Sequence, residues 1–150
     1  MSQSIKLRRA TVEDIPYILE AEKGLVGTKI YSGLTGKKDA IQEISENIFY
    51  VIEKDGKVVG DVAYQEKDKD HAYISGLAVA KEFQRQGIAK QAVQILLDML
   101  KDKKLIDLVT HPENEKAIKL YESLGFKKTG EQMENYFDDG EPRIRMVLKK

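Results

Sequence analysis

The segment Gln84-Arg85-Gln86-Gly87-Ile88-Ala89 constrains this chain more than any other, because of what stands on either side of it. Before it runs a short apolar stretch, Tyr73-Ile74-Ser75-Gly76-Leu77-Ala78-Val79, and after it a strong helical stripe. A small, polar, glycine-containing turn from strand into helix leaves several backbone N–H groups without helical partners and aimed in one direction. Together with the positive end of the helix dipole, they make an anion site suited to a diphosphate. Gly87 and Ala89 let phosphates approach the backbone with no large side chain in the way. Glycine turns also precede helices that bind nothing, so the segment alone leaves both readings open.

The chain has 150 residues, a usual length for one domain with a sizeable core. No repeat, low-complexity tract or Pro/Ser-rich linker divides it, so residues 1–150 read as a single domain. Lys+Arg and Asp+Glu balance at 25 each, which gives no global field toward nucleic acid or anionic membrane. With Cys at 0, disulfides, thiolate metal sites and cysteine nucleophiles are all excluded. No stretch approaches the ~18 apolar residues of a membrane span, and the N-terminus lacks the apolar core of a signal peptide. A soluble, cytoplasmic protein is expected.

Along the chain, Ile5–Arg9 reads as a strand, and Asp14 as the cap of a helix with Pro16 in its first turn and Ile15, Ile18, Leu19 and Glu22 on one face. The four glycines between Gly24 and Lys38 predict a mobile loop or broken helix, followed by a short helix at Ile41 and Ile44. Phe49–Glu53 and Val58–Tyr64 are β-rich runs joined through Asp55-Gly56, a strong hairpin signal. Ala72–Val79 is the next strand. From Ile88, the rhythm of Ala92, Ile95, Leu96 and Met99 predicts a helix buried on one side. A strand at Leu105–Thr110, a helix at Glu115–Leu124, and a final hairpin of 126–137 with 143–148 around Asp139-Gly140 complete the order. It fits an α/β fold with a mixed, mostly antiparallel sheet, flanking helices and one parallel β-α-β crossover between 72–79 and 105–110.

Residues 84–89 match in full the Gln/Arg-x-x-Gly-x-Gly/Ala pattern of the coenzyme A loop in the GNAT acetyltransferase superfamily. Asn114-Glu115-Lys116-Ala117-Ile118-Lys119-Leu120-Tyr121-Glu122-Ser123-Leu124-Gly125-Phe126 resembles that superfamily's Asn-x-x-Ala-x-x-x-Tyr-x-x-x-Gly-Phe stretch. The opening Ile5–Asp14 is similar to a GNAT first strand and helix start. The resemblance covers nearly all of the chain and is weakest between Gly24 and Lys38. It implies an N-acetyltransferase with acetyl-CoA as cosubstrate and no metal, acting on a small-molecule or peptide amine, as a monomer or homodimer. A non-catalytic acyl-CoA-binding module is the competing reading, and a nucleic-acid or membrane partner has no support in the charge pattern.

Acetyl transfer from a thioester to an amine requires an anchored donor, a polarised carbonyl, a deprotonated amine and a protonated leaving thiolate. The resemblance assigns anchoring to the backbone of Gln84, Arg85, Gln86, Gly87, Ile88, Ala89 and Lys90, with charge from Arg85 and Lys90. It assigns the pantetheine arm to Leu77, Ala78 and Val79, and carbonyl polarisation to the Leu77 N–H. Tyr121 is implied as the proton donor to sulfur, against the plainer reading of a core aromatic. Asn114 either caps its helix or also contacts the cosubstrate arm.

The general base is not legible. Tyr73 stands where some relatives place a glutamate, but an ordinary tyrosine pKa near ~10 makes a poor base. His71, Glu66, His111 and a water chain are the other options. The two histidines lack metal-ligand spacing. Acidic residues expected around the acceptor mouth are Glu22, Glu66, Asp138, Asp139 and Glu141, which favour a cationic amine. Asn135-Tyr136-Phe137-Asp138-Asp139-Gly140 in the closing hairpin reads as cross-strand packing, or as an aromatic enclosure for a peptide acceptor. The Gly24–Gly36 loop is expected to close over the acceptor as a lid.

Overall fold

The structure is a computed structural model, and it describes residues 5–25, 34 and 36–150. Its elements are β1 (Lys6–Arg9), α1 (Ile15–Glu22), α2 (Lys37–Glu46), β2 (Ile48–Lys54), β3 (Lys57–Asp68), β4 (His71–Val79), α3 (Ile88–Met99), β5 (Leu105–Thr110), α4 (Glu115–Ser123), β6 (Lys127–Met133) and β7 (Arg143–Lys149). One seven-stranded sheet runs in the order β1-β2-β3-β4-β5-β7-β6. Every pairing is antiparallel except β4 with β5, which α3 connects. Most of the glycine-rich stretch read as a lid (26–33 and 35) lies outside the described residues, and α2 follows it as expected.

Local chemistry accounts for the joins. Asp55 and Gly56 both hold positive φ, at 53° and 77°, the conformation a two-residue hairpin turn needs. Asp14 does not bond forward into α1. Its carboxylate instead accepts the Thr11 N–H at 2.8 Å and pairs with Arg8 at 2.8 Å, fixing the turn between β1 and the helix.

Neighbouring strand residues point to opposite faces, which separates two cores. Ile52 and Val62 pack with Ala92, Leu96, Ile118 and Phe126 on the face covered by α3 and α4. Val51 and Ala63 pack with Ile18 and Phe49 on the other face. Asp61, two residues before Ala63 on the same strand, shares the second face with α1. No helix among the described residues is long and apolar enough to cross a membrane.

The parallel pair positions the site. β4 and β5 are in register only for His71↔Leu105, Ala72↔Ile106 and Tyr73↔Asp107. Beyond Tyr73 the strands part, so Ile74–Val79 and Leu108–Thr110 diverge into a V whose floor is the sheet. The closed end is pinned by side chains. His71 Nε2 lies 2.7 Å from Asp107 Oδ1, and Arg145 from β7 donates to Asp107 Oδ2 at 3.0 Å through Nε.

Candidate active site

A cavity of about 950 Å³ opens along this V and continues across the sheet. One part is lined by Leu77, Ala78 and Val79 at the end of β4, by Gln84, Arg85, Gly87, Ile88, Ala89 and Lys90, and by Asn114 and Tyr121. The motif residues read from sequence thus converge on one space. Gln86 is the exception: it does not line the cavity, and its side chain accepts a bond from Lys54 Nζ at 2.7 Å.

Gly87 is the N-cap of α3, with φ +77° and no side-chain cap. The first helical acceptor bond is Gln91 N–H to Gly87 O at 3.1 Å, so the preceding amide groups of the helix have no intrahelical acceptor. An added Cβ on Gly87 would meet nothing closer than Gln91 Nε2 at 3.9 Å. The glycine therefore answers the backbone conformation and the openness of the cradle, not crowding. A diphosphate fits this end of the cavity on geometry and on dipole sign.

Asn114 caps α4, its Oδ1 accepting the Ala117 N–H at 3.2 Å. Tyr121 is 5% exposed and packs edge-on against Phe126 with ring centroids 5.5 Å apart, while also lining the cavity. A buried aromatic of the core thus also borders the cavity.

The candidate bases divide sharply. His71 is held by Asp107, and Glu66 pairs with Lys103 at 3.3 Å; neither lines the cavity. Tyr73 does line it, but burial, and then Tyr136 beside it, pushes its hydroxyl well above the ordinary tyrosine value. His111 is buried and also lines the cavity. Its Nδ1 accepts the Glu113 N–H at 3.0 Å, which places the proton on Nε2, facing Glu141 at 2.8 Å. Both nitrogens are thus engaged.

Of the acidic residues expected at the acceptor mouth, Glu22, Asp139 and Glu141 line the cavity, whereas Glu66 and Asp138 do not. Asp139 is paired with Arg143 at 3.0 Å. Two residues that the sequence reading passed over, Asp61 and Glu43, line it as well. The available signal was a charged residue inside the apolar run Val58-Val59-Gly60-Asp61-Val62-Ala63, an anomaly for a buried strand.

A glycine-initiated helix beside splayed parallel strands, with a continuous cleft between them, is in keeping with the acetyltransferase resemblance that the sequence carries. Comparison with known proteins agrees. The family model described as Acetyltransferase (GNAT) family matches residues 17–126. Spermidine N(1)-acetyltransferase of Escherichia coli K12 is 31% identical over 163 residues, covering 98% of this chain and 87% of the relative. N-alpha-acetyltransferase 30 of Schizosaccharomyces pombe is 36% identical over 78 residues, covering 51% of each chain. Among solved structures, Ard1 from Thermoplasma volcanium superposes with TM-score 0.82 at 20% identity, covering 97% of both chains. A GNAT acetyltransferase from Elizabethkingia anophelis with acetyl-CoA bound superposes with TM-score 0.76 at 19% identity, covering 99% of this chain and 100% of that one. The chain belongs to the GNAT acetyltransferase family and is an acetyl-CoA-dependent N-acetyltransferase.

Proposed function

We propose that this enzyme moves the acetyl group of acetyl-CoA directly to a primary amine of a small molecule. The observation that carries the reading is the continuity of the cavity: one space runs from the amides at Gly87–Lys90, past Leu77 and Tyr121, to carboxylates at its other end. The donor diphosphate would rest on the start of α3, with Arg85 and Lys90 adding charge, and the pantetheine arm would follow Leu77–Val79. Asn114 borders the same channel. The acceptor nitrogen attacks the thioester carbonyl carbon, with the Leu77 N–H bonding the oxygen as negative charge develops on it. The ammonium proton of the acceptor has by then gone to water; as the C–S bond breaks, the Tyr121 hydroxyl gives its proton to the sulfur, and the second proton shed by the nitrogen returns through water to the tyrosinate. Carboxylates at the acceptor end favour a cationic amine over a neutral alcohol, in line with the relative named for spermidine.

The test is thiol release from acetyl-CoA against a panel of amines, alcohols and short peptides, with products identified by mass. Acetylation of small primary amines is expected. The aromatic pair Tyr136 and Phe137, centroids 4.8 Å apart and both partly exposed beside the mouth, favours a second reading in which a peptide N-terminus is the acceptor. Peptide products with no small-amine products would replace the first reading by the second. Acetylation of hydroxyl acceptors alone, or acetyl-CoA binding with no thiol release on any acceptor, would overturn both.

A further inference from the structure

Three carboxylates from three separate elements meet at the acceptor end of the cavity: Glu22 at the end of α1, Glu43 on α2 and Asp61 in β3. Asp61 is 3% exposed, and its Oδ2 is buried with no hydrogen-bond partner among the described residues. Glu22 is equally buried and accepts the Leu34 N–H at 2.8 Å, while Glu43 accepts from Asn47 Nδ2 at 3.0 Å. Among the described residues, none of the three has a cationic partner within ion-pair distance. The other acids lining the cavity are engaged, Asp139 by Arg143 and Glu141 by His111. Buried carboxylates without counter-charge are costly, and a fold retains them where a ligand supplies that charge. Burial, and then the facing carboxyl groups of Glu22 and Glu43, holds the Asp61 carboxyl well above the usual carboxylate range, in line with the lack of a cation beside it among the described residues. No grouping of three or more His, Asp or Glu among the described residues is placed to hold a metal ion, and the cation that the proposed reaction itself brings to this end is an ammonium group.

The nitrogen that is acetylated must lose its proton, and a nest of carboxylates stabilises the protonated form and opposes that loss. The cluster therefore suits a nitrogen that remains charged throughout the reaction. We propose that Glu22, Asp61 and Glu43 form a subsite for a second cationic nitrogen of the acceptor, so that the acceptor is a diamine or longer polyamine held by one end and acetylated at the other. This deepens the primary-amine reading and rests on it. Asp61 stands opposite Ala78 in the register, next to the Leu77–Val62 pair. The two nitrogens are accordingly joined by a short spacer.

The experiment measures kcat/KM for diaminopropane, diaminobutane and diaminopentane against propylamine, butylamine and pentylamine. Each diamine should exceed its matched monoamine by at least about tenfold, the factor that 1.4 kcal/mol supplies. In Asp61→Asn and Glu22→Gln that ratio should fall toward one, with the partly exposed Glu43→Gln giving a smaller drop and covering the case of a variant that fails to fold. A ratio near one in the parent enzyme, or a ratio unchanged in every folded variant, overturns the subsite. Calorimetric titration of diaminobutane in the presence of CoA separates this from failure of the parent reading. Binding that is weakened by Asp61→Asn sustains the subsite even if no amine is acetylated, and absence of binding removes it.

Discussion

Asp61 of β3 stands directly opposite Ala78 of β4 in the antiparallel register. A buried carboxylate of the cavity is therefore one residue step from Leu77, whose amide is proposed to polarise the acetyl carbonyl. The approach of the two strands is close there: a Cβ on Gly60 would strike the Ala78 carbonyl oxygen. An acid in that place lies on the α1 side of the sheet, while the start of α3 closes the other end of the same space. The amides at the start of α3 and the carboxylates around Asp61 thus stand at opposite ends of one cleft.

Asp61→Asn should stabilise the ligand-free protein at neutral pH while impairing its activity. The folded state holds this carboxyl above its ordinary value of 3.8, with Glu22 and Glu43 facing it. The unfolded chain ionises first, so between the two values it binds fewer protons than the folded state, and stability falls as pH rises. Below the unfolded value the penalty is absent. The amide has no such slope. Relief of a buried unsatisfied acceptor is of order 1–3 kcal/mol, and each kcal/mol is roughly 2–4 °C for a chain of this size. Thermal melts from acid to neutral pH check it: a variant with the parent's slope and no higher Tm at neutral pH would show Asp61 to be compensated.

Gly87→Asp should weaken CoA binding by an order of magnitude or more in a folded protein. The substitution places a carboxylate at the N-cap of α3, in the cradle where phosphates would come. The φ of +77° adds strain for any residue with a Cβ, although aspartate tolerates it better than most. Calorimetry with CoA reads the outcome, and unchanged affinity would remove the diphosphate from this loop.

Tyr121→Phe removes one oxygen and preserves the edge-on contact with Phe126. Stability and CoA affinity should hold, while turnover falls by up to the ~10²–10⁴-fold typical of a general acid, less whatever a water restores. Full turnover at saturating substrates would reduce Tyr121 to a packing residue.

The end of the cleft formed by β4 and the start of α3 was legible in the sequence because it is local. The strand ending at Val79, the turn at Gly87 and the stripe from Ile88 to Met99 are contiguous, and periodicity placed each within a residue or two. The carboxylate end is not local. Glu22, Glu43 and Asp61 lie on three elements that meet only when α1 and α2 pack on the sheet, so Glu22 is expected at the mouth from the sequence while spacing gives no sign that Glu43 and Asp61 join it. Strand propensity reads Val58–Tyr64 as a β-rich run and passes over its one charged member, Asp61. Glu66 erred the other way: placed near the mouth from its position after the hairpin, it is held by Lys103 instead. His71, weighed as a base, is a structural partner of Asp107.

That last contact yields a prediction about how the cleft is held open. β4 and β5 are in register for only three residue pairs before they part, so little backbone bonding fixes the angle between them. Asp107 supplies the remainder. It is 7% exposed and accepts from His71 of β4 and from Arg145 of β7 at once. Asp107→Ala leaves a guanidinium and an imidazole facing a void, and should cost about 1–3 kcal/mol of stability. Asp107→Asn keeps the shape and one acceptor oxygen and should cost less. Because the pin stands at the apex of the V, a small rotation there widens or narrows the mouth along the whole length of Ile74–Val79. The alanine variant should therefore raise KM for acetyl-CoA, although Asp107 does not line the cavity. Equal Tm and equal KM in Asp107→Ala would show that the sheet alone sets the splay.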